Sequence, residues 1–476
     1  MQDWIATEVQ TADFGDERLD RRFALLLDRF SAKPSVSISA ACVGKAETEA
    51  AYRFFANFKV TADNVLEPHG DATLQRIQKE KVVLLPQDTT EIDLTRLEEK
   101  VGGPLNEGHR YGLYAHPVLA FTPQRVPLGV VEAFFWSRDE DEFAKSAAQK
   151  RAERREKPIQ DKESQRWLDG YLAACQVAER APNTQVISIA DSEADIYELF
   201  VFTQTRAGKK ANWIVRACQD RALTEGQGHL AQTVACTPVL AKLTIQVSKR
   251  TAPASEERSR RKARAARKAK VTVRATQVSL RPPDRVGEKL PVVLVNAVLV
   301  REEKPPPGEE PIEWLLLTDL PIATTKEVLR VIEYYGCRWE VEIFFRVLKS
   351  GCQVEKVQLQ EQERMEPCLA LYMIVSWRIH HVTMLGRECP QMSCAAVLAE
   401  EEWKAVVEIM TNQPAPQEPP SLGEMIVLIA ELGGYLNRKN DGPPGPKTMW
   451  IGMQRMRDFA LAWRTFGPGR KRSVGR

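Results

Sequence analysis

The sequence predicts an α/β protein, a mixed sheet with helical segments at both ends, and three observations carry that prediction. Apolar runs of strand length alternate with helical stretches between about residues 82 and 217. A strand-rich segment at about 223–312 then breaks the alternation, and both ends of the chain show helical spacing instead.

The first 65 or so residues read as helical. Phe14-Gly15-Asp16 is a start signal, and Leu19, Phe23, Leu26, Leu27 and Phe30 follow at helical spacing, with Arg18, Arg21, Arg22 and Arg29 on another face. A second helix, Ala46–Phe58, places Tyr52, Arg53 and Phe55 near its middle. By pattern alone this is an amphipathic pair with a solvated charged face; a small helical DNA-binding domain whose arginines reach phosphates has the same signature. Strands follow at Val82–Leu85, His116–Phe121, Val126–Trp136, Gln185–Ala190 and Trp213–Ala217, with helices at Phe143–Arg180 and Ala194–Ala207. The close succession of the early strands suggests a mixed sheet.

In the strand-rich segment the runs are Val239–Val247, Val271–Leu280 and Pro291–Val300. Within it, Ser248–Lys270 holds ten Lys or Arg against two Glu, the composition either of a solvated loop or of an arm that tracks phosphates. Helical signal returns as one long helix, Thr325–Ser350, and again from Arg364 to Trp463 around a Pro-rich break at Pro414–Pro420. A basic tail ends the chain.

A chain of 476 residues predicts two or three domains, and 43% apolar with 28% charged residues predicts a globular protein. The net charge of +3 identifies no polyanionic partner, so the placement of the cations matters more than their sum. Nine cysteines without a CxxC pair argue against a disulfide framework or a structural zinc. There is no HExxH and no Walker A sequence, and only His380-His381 are adjacent among six histidines, so zinc and nucleotide enzymes find no support. The polar, acidic start resembles no secretory signal, and apolar runs such as Pro291–Val300 and Cys368–Trp377 are shorter than the ~20 residues of a bilayer span. The expectation is a cytoplasmic protein without a membrane partner.

Three acidic residues occupy suggestive positions. Asp88 follows the run Val82–Leu85, and Asp191 directly follows the run Gln185–Ala190. A carboxylate at a strand's C-terminal end sits on a rigid sheet and faces an open crevice, which suits a metal ligand. Singly, each position also suits a turn or a helix N-cap, and Asp191 fits the cap well. On the long helix, Tyr335, Arg338, Glu342 and Lys349 fall at i, i+3, i+7 and i+14, one face of a regular α-helix. That stripe suits an ordinary solvated face with an Arg338–Glu342 pair. It equally suits about 21 Å of phosphate-following surface with a carboxylate in its midst.

The spacing Tyr335-x2-Arg338-x3-Glu342-x6-Lys349 resembles the Y-R-E-K signature of the IS-four-type bacterial transposases, and within them the group typified by the transposase of the kanamycin-resistance composite transposon. The resemblance runs over nearly the whole chain. It takes in Gly15–Arg18, Ala51–Phe54, Asp88-Thr89-Thr90, Asp191–Ile196, Ile214–Arg216, Trp314–Thr318, Arg338-Trp339 and Leu432–Gly434. It implies an RNase H-like mixed-sheet catalytic core with a β-rich insertion, flanked by helical domains. Domains are expected at 1–68 (DNA binding), 69–365 (catalytic, insertion at about 223–312) and 366–476 (dimerisation).

The resemblance further implies that Asp88, Asp191 and Glu342 are catalytic and bind two Mg²⁺ ions, with Mn²⁺ able to substitute. Arg216, Tyr335, Arg338, Arg346 and Lys349 resemble residues that grip phosphates, and Trp314 one that stacks on a flipped base; the run after Trp314 also suits a core tryptophan. Implied partners are double-stranded DNA, as transposon ends and target, and a second copy of the chain. The implied activity is end cleavage through a hairpin and strand transfer. Ser192 stands where the resembled transposase has arginine, which puts one DNA contact in doubt, and Arg346 replaces a lysine while keeping its charge. A structure-specific nuclease without strand transfer would use the same carboxylates. A non-catalytic DNA-binding descendant would be favoured by loss of one, and none is lost.

Overall fold

The computed structural model describes residues 3–96, 100–106, 109–141, 145, 149, 157–224, 226, 228–247, 264–284 and 289–467. They divide into two units, the first comprising Met1–Glu156, Arg180–Thr184 and Trp339–Arg476, the second Lys157–Glu179 and Gln185–Arg338.

The first unit begins with the predicted amphipathic helices. In Glu17–Ala32 the side chain of Asp16 caps the N-terminus by accepting from Arg18 N, and of the periodic residues, Phe23, Leu26, Leu27 and Phe30 are buried while Leu19 is half-buried. Phe14, Phe23 and Phe54 meet edge-on or stacked, and Phe30 stacks on Tyr372 with ring centroids 5.0 Å apart. The second predicted helix forms as Gly44–Phe55. A further helix, Ala62–Ile77, runs through Pro68, so the boundary expected after residue 68 falls inside it. Burial of Val65, Leu66, Leu74 and Ile77 holds a helix that Pro68 and Gly70 disfavour locally.

The strands of this unit are β1 (Val82–Pro86), β2 (Thr90–Asp93), β3 (Gly103–Pro104), β4 (Tyr111–Phe121) and β5 (Pro127–Trp136). β4 is the hub, antiparallel to each of the other four, and all but its first residue are buried. The helix Gln362–Glu388 is long and apolar enough to cross a bilayer, which the shorter run Cys368–Trp377 had not suggested. Yet 83% of its most apolar window is buried in the protein, as in a core helix. Helices Glu400–Thr411, Leu422–Leu432 and Pro446–Phe466 share a core built from Trp403, Val406, Met425, Ile429, Met449 and Met456. Gly433 and Gly452 let two of these helices touch: a Cβ at either would stand 1.8 Å from a backbone oxygen of the other helix.

One buried polar network ties the unit's N-terminus to its sheet. Glu8, 1% exposed, meets His69 Nδ1 at 2.5 Å and accepts from Arg76 Nη1 at 2.7 Å. Val130 N–H donates to His69 Nε2, so the ring carries its proton on Nδ1 and is neutral. Burial drives the His69 pKa down, consistent with that tautomer. Burial works to raise Glu8, but the hydrogen bond from His69 and the Arg76 guanidinium outweigh it and hold the carboxyl at about 2. A depressed carboxyl stabilises the fold above its unfolded value, and the contribution is lost as pH falls through the folded one. This one is therefore expected to fade as pH falls from about 4.5 towards 2. The urea midpoint of Glu8→Gln should accordingly fall less steeply with acid than that of the wild type; parallel curves would refute the assignment.

The second unit holds β6 (Gln185–Ala190), β7 (Asn212–Arg216), β8 (Ala241–Val247), β9 (Arg267–Leu280), β10 (Val293–Glu302) and β11 (Glu313–Thr318), in the order β6-β7-β11-β10-β9-β8. β6 and β7 are parallel and the rest antiparallel. The expected insertion is β-rich, but it continues the sheet rather than forming a separate one: β11 pairs with β7 and hands the edge to β10, β9 and β8. Of the basic stretch Ser248–Lys270, residues 248–263 lie outside the described residues, and Arg267–Lys270 open β9. Part of the helix expected at Phe143–Arg180 also lies outside them; Gln165–Arg180 is helical.

The expected helix Thr325–Ser350 is corrected into four segments. An α-helix, Thr325–Tyr335, starts at a Thr324–Glu327 capping box; a 3₁₀ turn, Gly336–Arg338, follows; then an α-helix, Trp339–Arg346; then a π turn, Val347–Gly351. Each change of pitch shifts the angular phase, so the 100° repeat does not extend from Tyr335 to Lys349.

Candidate active site

Asp88 lies two residues beyond the end of β1 and is half-buried. Its Oδ1 accepts from Thr89 N at 2.8 Å. The turn is supported from β4 by His116, which is wholly buried: Nε2 donates to Gln87 Oε1 at 2.9 Å and Nδ1 accepts from the Thr89 hydroxyl at 2.8 Å. Neither Gln87 nor His116 stood out in the sequence as part of this site, and nothing local signals their pairing across 29 residues.

Asp191 follows β6 directly, and its Oδ1 accepts from Glu193 N at 2.8 Å, the N-cap geometry that the sequence had left open. One oxygen used as a cap leaves the other available for a ligand. The loop is pinned by Asp195, a residue of the same motif. Its buried carboxylate accepts from Cys218 N, Gln219 N and the Arg221 guanidinium at 2.6–2.9 Å. Arg166 holds Glu193 at 2.6 Å.

Around Asp191 the second unit gathers four of the six expected DNA-contact residues. Tyr335 is 3% exposed, so it is a buried phenol rather than part of a solvated stripe. Its pKa is raised, first by burial and further by the Asp191 carboxylate, against the pull of the Arg338 and Arg216 guanidinium groups. All three charged residues therefore lie close enough to the phenol to act on its ionisation, Arg338 by a hydrogen bond as well. Trp314 stands beside the same ring, with centroids 6.2 Å apart at 57°, and is half-buried rather than in the core. Arg216 Nη2 donates to Glu313 O at 3.2 Å, which ties the cation to the strand carrying Trp314.

Glu342 and Arg346 are exposed on the Trp339–Arg346 helix of the first unit. Lys349, in the π turn, approaches Glu355 to 3.5 Å. Among the described residues, no three His, Cys, Asp or Glu side chains converge around one point at metal-binding distance. The three acidic residues offer oxygen donors only, a set suited to hard divalent cations rather than to zinc. None of the nine cysteines is in a disulfide.

Residues 1–60 match the transposase DNA-binding family, 176–377 the transposase DDE domain, and 374–466 the transposase Tn5 dimerisation domain. The DDE match includes Asp191, Arg216, Trp314, Tyr335, Arg338, Glu342, Arg346 and Lys349, whereas Asp88 lies between matched segments. Among solved structures, a piggyBac transposase synaptic complex with hairpin DNA is 9% identical, over 98% of this chain and 79% of that one. With a TM-score of 0.34 that likeness is too loose to bear on function. A DNA-binding segment, a DDE core of RNase H-like mixed-sheet type and a dimerisation segment, in that order, make this chain a member of the IS-four-type DDE transposases, DNA transposases that depend on divalent metal.

Proposed function

We propose that this transposase excises its element through hairpin-ended intermediates and joins the ends to target DNA, with Asp88, Asp191 and Glu342 as the catalytic carboxylates. The observation that carries the reading is the cluster of Arg216, Trp314, Tyr335 and Arg338 beside Asp191. Two cations, a phenol and an indole around one carboxylate form a phosphate-binding surface with a stacking platform, not a generic acidic site.

The three carboxylates would hold two Mg²⁺ ions, for which Mn²⁺ would substitute. Bound there, the metal would supply a polarised nucleophile and a counter-charge for the leaving oxygen. Arg216, Arg338, Arg346 and Lys349 grip the phosphates on either side of the cut, and Tyr335 braces the two arginines that face it. Trp314 receives the base that leaves the stack when the strand folds into a hairpin; unstacking costs a few kcal/mol, which a new aromatic partner offsets. Residues 1–68 bind the end, 69–365 form the catalytic domain, and 366–476 pair two copies in the synaptic complex. The protein works in the cytoplasm on nucleoid DNA and has no membrane partner.

The test uses purified protein, Mg²⁺ and DNA bearing the native ends, with products separated under denaturing conditions. Hairpin-ended fragments are expected. Trp314→Ala should retain the first nick and lose hairpins by about 10–100-fold, the worth of one stacked base. Linear excised ends without hairpins, in wild type and variant alike, would refute the hairpin route.

A further inference from the structure

Glu342 is exposed, but the residue two positions earlier, Glu340, is 5% exposed and points the other way. Two residues along an α-helix turn the side chain by about 200°, so burying one of this pair presents the other outward. Glu340 meets two nitrogen groups from two directions. Arg125 Nη1 stands 3.6 Å away, from the turn between β4 and β5, where Arg125 holds a left-handed φ of 69°. From the long core helix Gln362–Glu388, His380 Nε2 approaches Glu340 Oε2 to 3.2 Å. Arg387, one further turn pair along, also feels the carboxylate. His380 is 1% exposed and packs edge-on against Phe121 with centroids 5.8 Å apart.

This cluster is poorly suited to add net stability. Glu340 Oε2 and both His380 ring nitrogens are buried without a well-formed hydrogen bond, and a desolvated pair with imperfect geometry repays little of its cost. It is well suited to fix an orientation. The helix carrying Glu342 has only eight residues, with a 3₁₀ turn before it and a π turn after it, so no long regular ladder sets its rotation. Val341 and Phe344 bury its apolar side, but non-directional packing tolerates a rotation that would carry the Glu340 carboxylate away from Arg125 on one oxygen and His380 on the other.

We infer that Glu340, clamped between Arg125 and His380, is a positioning residue that sets the rotation of the Trp339–Arg346 helix and thereby aims the Glu342 carboxylate. The inference rests on the reading of Glu342 as a catalytic carboxylate. It assigns Glu340 no contact with DNA or metal.

The test compares full-length Glu340→Gln, Glu340→Asp and His380→Gln with the wild type. It reads Mn²⁺ affinity by electron paramagnetic resonance, kcat and KM for end cleavage, and thermal melting. In Glu340→Gln, melting and KM for DNA are expected to hold, while Mn²⁺ affinity and kcat fall about 10–100-fold, the usual consequence of disturbing a group behind a metal ligand. Glu340→Asp should recover part of both. If Glu340→Gln does not fold, His380→Gln applies the same test from the other side of the pair. Wild-type Mn²⁺ affinity and kcat in a folded variant would overturn the inference. Glu342→Gln, run in parallel, separates the two readings. Loss of metal binding there with none in Glu340→Gln sinks only the positioning role, whereas no loss in Glu342→Gln sinks the catalytic reading beneath it.

Discussion

Glu342→Ala is expected to abolish end cleavage while leaving the fold and end binding intact. The side chain is exposed on its helix, so its removal leaves no cavity. If it is one of three carboxylates that hold the catalytic metal, its loss forfeits several kcal/mol of transition-state stabilisation, a fall of at least about 10³-fold in rate. Asp191→Asn should act alike, with one qualification. Asp191 also caps the short turn after β6, and asparagine preserves that role, so asparagine rather than alanine isolates the chemistry. Gel-shift affinity for the end, measured beside cleavage, separates the two effects. Nicking unchanged by Glu342→Ala would end the assignment, and an equal loss of binding would move the residue to DNA recognition.

The second large effect is structural. Asp195→Ala is expected to destabilise the second unit by about 3–5 kcal/mol, because it strands the Arg221 guanidinium and two backbone N–H groups at once. The pair is nearly solvent-free, with side chains 9% and 0% exposed, so little screening softens the loss. The double variant Asp195→Leu/Arg221→Met should cost less than either single change, since it removes both charges together. Urea unfolding followed by hydrogen exchange in β6 and β7 reports on this unit. Additive losses in the double variant would mean that the two residues act independently.

Asp195 also shows where sequence reading stops. The motif Asp191–Ile196 was legible as a unit, but its two aspartates do different work. Asp191 faces Tyr335, whereas Asp195 ties the segment after β7 to the loop. The spacing is the same for both; only burial distinguishes them. Tyr335 teaches the converse. Its place in the Tyr-Arg-Glu-Lys series was legible, but the stripe was drawn on one regular helix, and the chain changes pitch on either side of Trp339–Arg346. A sequence period reports the local hydrogen-bond ladder and is blind to a turn imposed by packing.

By itself, the sequence determined the strands that lead to Asp88 and Asp191 and the amphipathic N-terminal helices, which are written in apolar periodicity acting over a few residues. Glu342 stood out only through the resemblance of its Tyr-Arg-Glu-Lys series to a transposase signature. Tertiary structure alone decided what supports those groups: His116 behind Asp88, Arg221 against Asp195, Arg216 at Tyr335, and His380 with Arg125 around Glu340. Each partner lies more than twenty residues away along the chain. Such pairs acquire their strength only when folding removes both members from water, so no local pattern announces them.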